Sequence, residues 1–279
     1  FLILDKMGYK GQRKIMKRVN APKQWYLGKL KGVYGTKPSA GPHKTRQCIP
    51  LNVLLQQRLK YAMSNMEATK IVKDKEGMIK VDGKIRRDPR FPLGTMDVVS
   101  IEKTNEHFRI LYDIKGKFQP HRVDAKEAEF KLCKVTQKKI GKSKVPHIVT
   151  HDGRTIRFPH PDIQINDSIK FDFKSKSISG VVKFQVGASV ILTGGNNIGR
   201  IGIISSIEKH QGSFDIVHVK DTKGNHFTTR LGNVIVIGDG KTNTVSIPKG
   251  EGIRLTLIQE RDLRRGDEES SGDEDEEDN

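Results

Sequence analysis

The chain has 279 residues, of which 34% are hydrophobic and 30% charged. That is length enough for two or more domains but too little apolar material for one large core. No stretch approaches the roughly 20 consecutive apolar residues of a membrane-crossing helix, and the apolar start Phe1-Leu2-Ile3-Leu4 lacks the length and basic flank of a signal peptide.

Lys plus Arg is 51 against 33 Asp plus Glu, a net of +18. Nine of the acids lie in residues 267–278, and without them 24 acids face 51 bases, a net of +27 over residues 1–265. Such an excess repels itself unless a polyanion offsets it, so a nucleic-acid partner is expected. Two cysteines, Cys48 and Cys133, build neither a disulfide framework nor a zinc cluster, which points to a reducing, intracellular compartment.

Residues 1–48 read as a basic arm. Lys10, Arg13, Lys14, Lys17, Arg18, Lys44 and Arg46 stand among recurrent Gly and Pro, with Asp5 the one acid. Without a long apolar period the arm is expected to be extended and to order on its partner, with Trp25, Tyr26, Leu27 and Leu30 for local docking. Leu51, Leu54, Leu55, Leu59 and Ala62 then recur at helical spacing behind Pro50, and a second short helix is expected over 66–73. Ile79 and Val81 alternate into Asp82-Gly83, a hairpin turn, with Ile85 beyond it and a further strand through Met96–Ile101. Lys80, Lys84, Arg86, Arg87 and Arg90 edge this module, placed to clamp a phosphate backbone.

From about residue 106 the pattern is β almost throughout. Strands are expected over 107–113, 118–123, 132–135 and 147–151, with a brief helix after Asp124. Asp152-Gly153 makes a second hairpin into 155–158, and 169–173 pairs with 178–184. Val190-Ile191-Leu192 precedes the glycine-rich loop Gly194–Gly199, after which Arg200 opens another strand. Strands continue through 214–219, 227–229 and 234–237, and residues 253–265 are expected to close the body as a helix. Short strands with frequent glycine turns suggest small barrels. The fold class is mainly β with a small α/β module, in several domains.

The search for catalysis is negative. Gly141-Lys142-Ser143 and Gly240-Lys241-Thr242 imitate the end of a P-loop, but Thr136 and Ile235 stand where its first glycine belongs. His147 and His151 lie on a predicted strand, with no Glu or Cys expected nearby to complete a metal site. The loop Gly194–Gly199 leads into a strand rather than a helix, unlike a dinucleotide fingerprint. Neither a Gly-x-Ser-x-Gly elbow nor a Cys beside a His occurs.

Several strings carry a resemblance. They are Ala21-Pro22-Lys23-Gln24-Trp25, Gly41-Pro42-His43-Lys44, Arg58-Leu59-Lys60-Tyr61-Ala62, Val81-Asp82-Gly83-Lys84 and Phe118 to Arg122. Val149 to Arg157 and Ser213 to Asp221 add two more. Together they resemble the S-four-e family of the small ribosomal subunit in its eukaryote-type form, almost continuously from Met7 to about Arg265.

The resemblance implies an S-four-type RNA-binding fold over 49–111, a central β-rich domain over 112–185 and a KOW-like barrel element over 186–220. A β/helix segment would follow over 221–265. It implies rRNA contacts at the arm cations Lys10, Arg13, Lys14, Lys17, Arg18, Lys44 and Arg46. In the body it implies Arg58, Lys60, Lys80, Lys84, Arg86, Arg87, Arg90, Arg154, Arg157 and Arg200. Tight turns are expected at Gly83, Gly153, Gly195 and Gly199.

The expected partners are small-subunit rRNA and neighbouring small-subunit proteins, with no membrane and no small-molecule substrate. No catalytic residue, metal or cofactor is expected. The expected location is the cytoplasmic ribosome, after nuclear and nucleolar passage during assembly. Residues 1–6 read as an upstream extension, since the family begins near Met7, and residues 266–279 as a disordered acidic tail outside the family pattern. Two alternatives, an RNA-modifying enzyme with an appended S-four module and a KOW-containing elongation factor, each need a further domain that no string here matches.

Overall fold

The computed structural model describes residues 15–263 and Arg265, apart from Lys31, Lys142, Ser143, Lys249 and Glu251. The expectations for Lys10, Arg13 and Lys14, for residues 1–6 and for the acidic tail lie outside the described residues.

In chain order, β1 (Met16–Lys17) pairs with β2 (Tyr34–Gly35), and β3 (Ile49–Pro50) leads into α1 (Leu51–Val53). Pro50 is the residue before the helix rather than its first turn, with ψ 144°. The helix runs on as a wider π-type turn over Leu54–Arg58, in which Leu59 N–H donates to the Leu54 carbonyl. Lys60, at φ +59°, stops it short of the Ala62 that the apolar spacing reaches. The second helix, α2 (Asn65–Val72), opens on a capping box: Ser64 Oγ accepts from Glu67 N–H, and Glu67 accepts from Ser64 N–H.

The first five-stranded sheet follows. Its strands are β4 (Ile79–Val81), β5 (Lys84–Ile85), β7 (Val98–Ile101), β8 (Glu106–Tyr112) and β9 (Phe118–Val123), in the order β5-β4-β7-β8-β9. Between them β6 (Pro92–Leu93) pairs back to β3. Asp82 and Gly83 both take positive φ, +50° and +72°, as a two-residue hairpin turn of the favoured twist demands. The helix expected after Asp124 is a single 3-10 turn, Glu127–Glu129.

The central sheet has the order β12 (Thr155–Arg157), β11 (Pro146–Thr150), β10 (Phe130–Ile140), β13 (Ser168–Asp172) and β14 (Ile178–Val182). Its spine is β10, one eleven-residue strand where the sequence suggests only 132–135. The first half of β10 pairs with β13, and its second half, after a bulge near Thr136, pairs with β11. The outer strands are β12 and β14.

The third sheet joins β15 (Ser189–Leu192), β16 (Ile201–Glu208), β17 (Ile216–Lys220), β18 (His226–Arg230) and β19 (Val234–Gly238), in the order β18-β17-β16-β15-β19. All five strands contribute to one apolar cluster that includes Val190, Ile204, Val217, Phe227 and Val236, so the sheet wraps around it. The boundary drawn at 220/221 falls inside this sheet, between β17 and β18, and that at 111/112 falls inside β8. Of the expected closing helix, residues 257–263 are helical.

Two packing facts hold these parts together. Trp25 is fully buried among Leu54, Leu93 and the rest of the first core, with its indole N–H on the Cys48 carbonyl, so the arm from Ile15 onward is docked rather than extended. A second cluster takes Leu111 from the first sheet, Leu132 from the central one and Ile191 and Ile235 from the third, which makes the three sheets one apolar junction.

Candidate nucleic-acid interface

The cations expected to meet phosphate divide into two sets. Lys84, Arg87 and Arg90 are exposed along the hairpin edge and the loop behind it, and Lys60 is exposed at the end of the first helix. Arg87 Nη2 donates to the Lys75 carbonyl at 2.9 Å. Lys44 precedes and Arg46 lies within an exposed 3-10 turn in the arm, Arg157 ends β12 in solvent, and Lys17 is exposed with its ammonium 4.6 Å from the Tyr34 ring centroid. Lys80 pairs with Glu102 at the surface.

The remaining cations turn inward. Arg18 donates to the Gly28 carbonyl, Arg86 lies 4.6 Å over Phe91, and Arg58 lies 5.4 Å over Tyr26, whose ring also takes Lys117 at 3.5 Å. Burial lowers the Arg58 pKa from its ordinary value against the opposing pull of Asp113. Arg200 covers Phe227 at 3.7 Å and reaches Asp221 at 3.4 Å.

Arg154 is the most committed. Its Nε reaches Asp152 at 2.6 Å, its Nη2 reaches Asp82 at 2.7 Å, and its plane lies 4.6 Å from Phe171. Gly83, Gly153, Gly195 and Gly199 all take φ between +72° and +81°. A Cβ at Gly199 would stand 2.1 Å from the Asp113 carbonyl oxygen, so that loop is pressed against the turn after β8.

Beneath the hairpin lies a buried ionic cluster that no local pattern announces. Lys131, on β10 and 1% exposed, places its ammonium 2.6 Å from Asp82, 2.9 Å from Asp97 and 2.8 Å from Asp152. Asp97 also accepts from Gly94 N–H and meets His43 Nε2, both at 2.9 Å, so the arm, the first sheet and the central sheet share one network. Burial by itself would lower the Lys131 pKa, but the three carboxylates outweigh it and hold the ammonium well above its ordinary value. Burial likewise pushes Asp97 and Asp152 upward, and the cations beside them, His43 and Lys131 for Asp97 and Lys131 for Asp152, win and hold both far below the usual carboxylate range. Burial also disfavours the His43 cation, yet Asp97 raises its pKa. Deeper in the same sheet Arg109 is fully buried, with Nη2 on the Glu127 and Phe130 carbonyls and Nε beside the Glu127 carboxylate.

The expectation that no Cys lies near the histidines is corrected here. Pairing of β10 with β11 and the turn after it brings Cys133, His151 and Asp152 together, their ligand-type atoms within 4.8 Å of one another, while His147 stays apart. The cluster already holds a cation, the Lys131 ammonium. Burial keeps the Cys133 thiol protonated and drives the His151 pKa down to about 4. His151 Nδ1 accepts from Lys134 N–H at 3.1 Å, which leaves Nε2–H to face the Thr95 carbonyl at 3.3 Å, a neutral ring bonded at both nitrogens.

Comparisons agree with this architecture along most of its length. The profile of "Ribosomal family S4e" matches residues 104–178, "40S ribosomal protein S4 C-terminus" matches 221–268, and "RS4NT (NUC023) domain" matches 10–46. "Small ribosomal subunit protein eS4" from Bombyx mori is 55% identical over 255 residues, which is 91% of this chain and 96% of that protein. The chain belongs to the S4e family of ribosomal proteins. The protein of the same description from Spodoptera frugiperda is 54% identical with the same coverage, and that from Lysiphlebus testaceipes is 51% identical. Among solved structures the 30S ribosomal protein S4e from Thermoplasma acidophilum superposes with a TM-score of 0.61 at 31% identity, covering 71% of this chain and 99% of its own. The S4e profile starts just before β8 and runs into β14, so it contains Lys131, Asp152 and Arg154 but begins after Asp82 and Asp97.

Proposed function

We propose that this S4e protein is a structural constituent of the small ribosomal subunit, binding and stabilising small-subunit rRNA in support of translation, and is not an enzyme. The observation that carries the reading is near full-length identity of 55% to a protein named for that subunit, joined to a body of net +27. Lysines and arginines read an A-form backbone by shape and phosphate contact, which a rigid body with an exposed cationic edge supplies without any active site.

Within this reading the exposed cations Lys17, Lys44, Arg46, Lys60, Lys84, Arg87, Arg90 and Arg157 face phosphate. Residues 49–111 act as an S-four-type RNA-binding fold, 112–185 as a central domain and 186–220 as a KOW-type element completed by 221–265. Neighbouring small-subunit proteins are the other partners. Work takes place on cytoplasmic ribosomes after nucleolar assembly. Sedimentation of the tagged chain through a sucrose gradient tests the proposal: near-complete co-migration with small subunits is expected, and mostly free protein would overturn it.

A further inference from the structure

A cleft of about 630 Å³ opens where the arm, the central sheet and the third sheet meet, within the size range of about 300–1,000 Å³ that holds small ligands. Its lining contains no carboxylate, although Asp and Glu make up 33 of the 279 residues.

In its wall lies Lys134, only 5% exposed. Its ammonium donates to the Leu231 carbonyl at 2.8 Å and to that of Gly232 at 3.5 Å, and among the described residues it forms no ion pair. Burial without a counter-charge lowers its pKa to about 8. A buried cation without an anion is costly, and the surroundings of Lys131, three carboxylates around one ammonium, show how this chain settles such a charge elsewhere. Here two backbone carbonyls stand where the carboxylates would, which leaves the charge open to an anion from outside. Lys44 is exposed at the same cleft and carries the same sign.

The remaining polar lining is of a different kind. Gln47, Gln137 and Asn166 all line the cleft, and among the described residues none of their side-chain amides makes a hydrogen bond. A carboxamide offers a donor and an acceptor side by side, which matches the edge of an unpaired base. A nucleotide presents an anion and such an edge within one small ligand.

We propose that the cleft receives one unstacked RNA nucleotide, its phosphate toward Lys134 and Lys44 and its base edge toward Gln47, Gln137 and Asn166. The inference rests on the rRNA-binding reading above and adds to it a place where sequence, rather than backbone shape, is felt. Single-stranded nucleotides splayed out of a loop are the form in which RNA sequence is read, because the A-form major groove is closed to side chains.

The test uses the full chain, nucleoside 5′-monophosphates, inorganic phosphate, an acidic Glu-rich peptide and small-subunit rRNA. Saturable movement of the Gln47, Gln137 and Asn166 side-chain amide resonances is expected with at least one monophosphate. Gln47→Ala combined with Gln137→Ala alters exposed side chains only, and should weaken that monophosphate about tenfold while leaving phosphate binding unchanged. Lys134→Met should abolish both. Wild-type affinity of the double variant for every monophosphate, or amide resonances that respond to the peptide alone, would overturn the inference while intact rRNA binding kept the wider reading. Failure of the unaltered chain to bind small-subunit rRNA would sink the two together.

Discussion

The ammonium of Lys131 and the carboxylate of Asp82 lie 2.6 Å apart, although 49 residues separate them in the chain. Asp82 is thereby more than a turn former. One oxygen accepts from Val98 N–H and fixes the hairpin, and the other receives Lys131 and Arg154 from the central sheet.

Removing Lys131 should therefore unfold more than its own strand. Lys131→Met leaves Asp82, Asp97 and Asp152 facing one another with only Arg154 and His43 to offset them. A loss of about 3–5 kcal/mol is expected, the cost of breaking a buried pair by removing one partner. Urea unfolding of the variant measures it, and a loss below about 1 kcal/mol would show that the cluster is solvated.

Acid sensitivity should begin with His151. Its folded pKa of about 4 lies below the unfolded value of 6.5, so between these limits the unfolded chain takes up a proton that the native chain refuses. Stability should fall by about 2 kcal/mol as pH drops from 6.5 to 4, and His151→Gln should flatten that slope. His43 acts oppositely: its raised pKa contributes stability that is present below 6.5 and lost as pH rises through its folded value. Asp97 and Asp152, held low, contribute stability that is present above about 4 and disappears only in stronger acid. Melting curves from pH 4 to 8 for wild type and His151→Gln isolate the His151 contribution.

Gly199→Ala should cost about 3 kcal/mol or more, because a positive φ of +80° combines with a Cβ 2.1 Å from the Asp113 carbonyl. An unchanged melting temperature would mean that the turn after β8 moves aside freely.

Exposed and inward arginines should part company. Lys84→Ala with Arg90→Ala should leave the melting temperature unchanged and lower rRNA affinity, with the salt slope shallower by about one unit per lost contact. Arg86→Ala should lower the melting temperature through the lost Phe91 stack. A reversed pattern would place the interface elsewhere.

Local chemistry made the hairpins legible. Asp82-Gly83 carries its turn geometry within two residues, the loop over 151–154 closes on Gly153 at φ +75°, and the capping box at Ser64 begins the helix expected near Met66. The site was less legible because its decisive contacts are long-range. Lys131 and Lys134 look like solvent-facing members of a basic sequence, and their partners lie 21 to 98 residues away. One signal was available. The run Leu132-Cys133-Lys134-Val135 does not alternate, and a strand that is apolar on both sides is buried on both, its lysines included. The arm misled for a related reason: its composition is that of a disordered segment, yet one fully buried Trp25 anchors it.

The cluster around Lys131 also sets an order of events at birth. Translation delivers Asp82 and Asp97 first, Lys131 only 49 and 34 residues later, and Asp152 and Arg154 after that. A nascent chain that has completed its first sheet holds Asp82 and Asp97 without the Lys131 ammonium, Asp97 being met by His43 alone, so that sheet cannot reach its final packing ahead of the next one. Maturation of the amino-terminal half is thus timed by emergence of the central strand, and a chain stalled before residue 131 is left with an unfinished interior for chaperones and proteases to find.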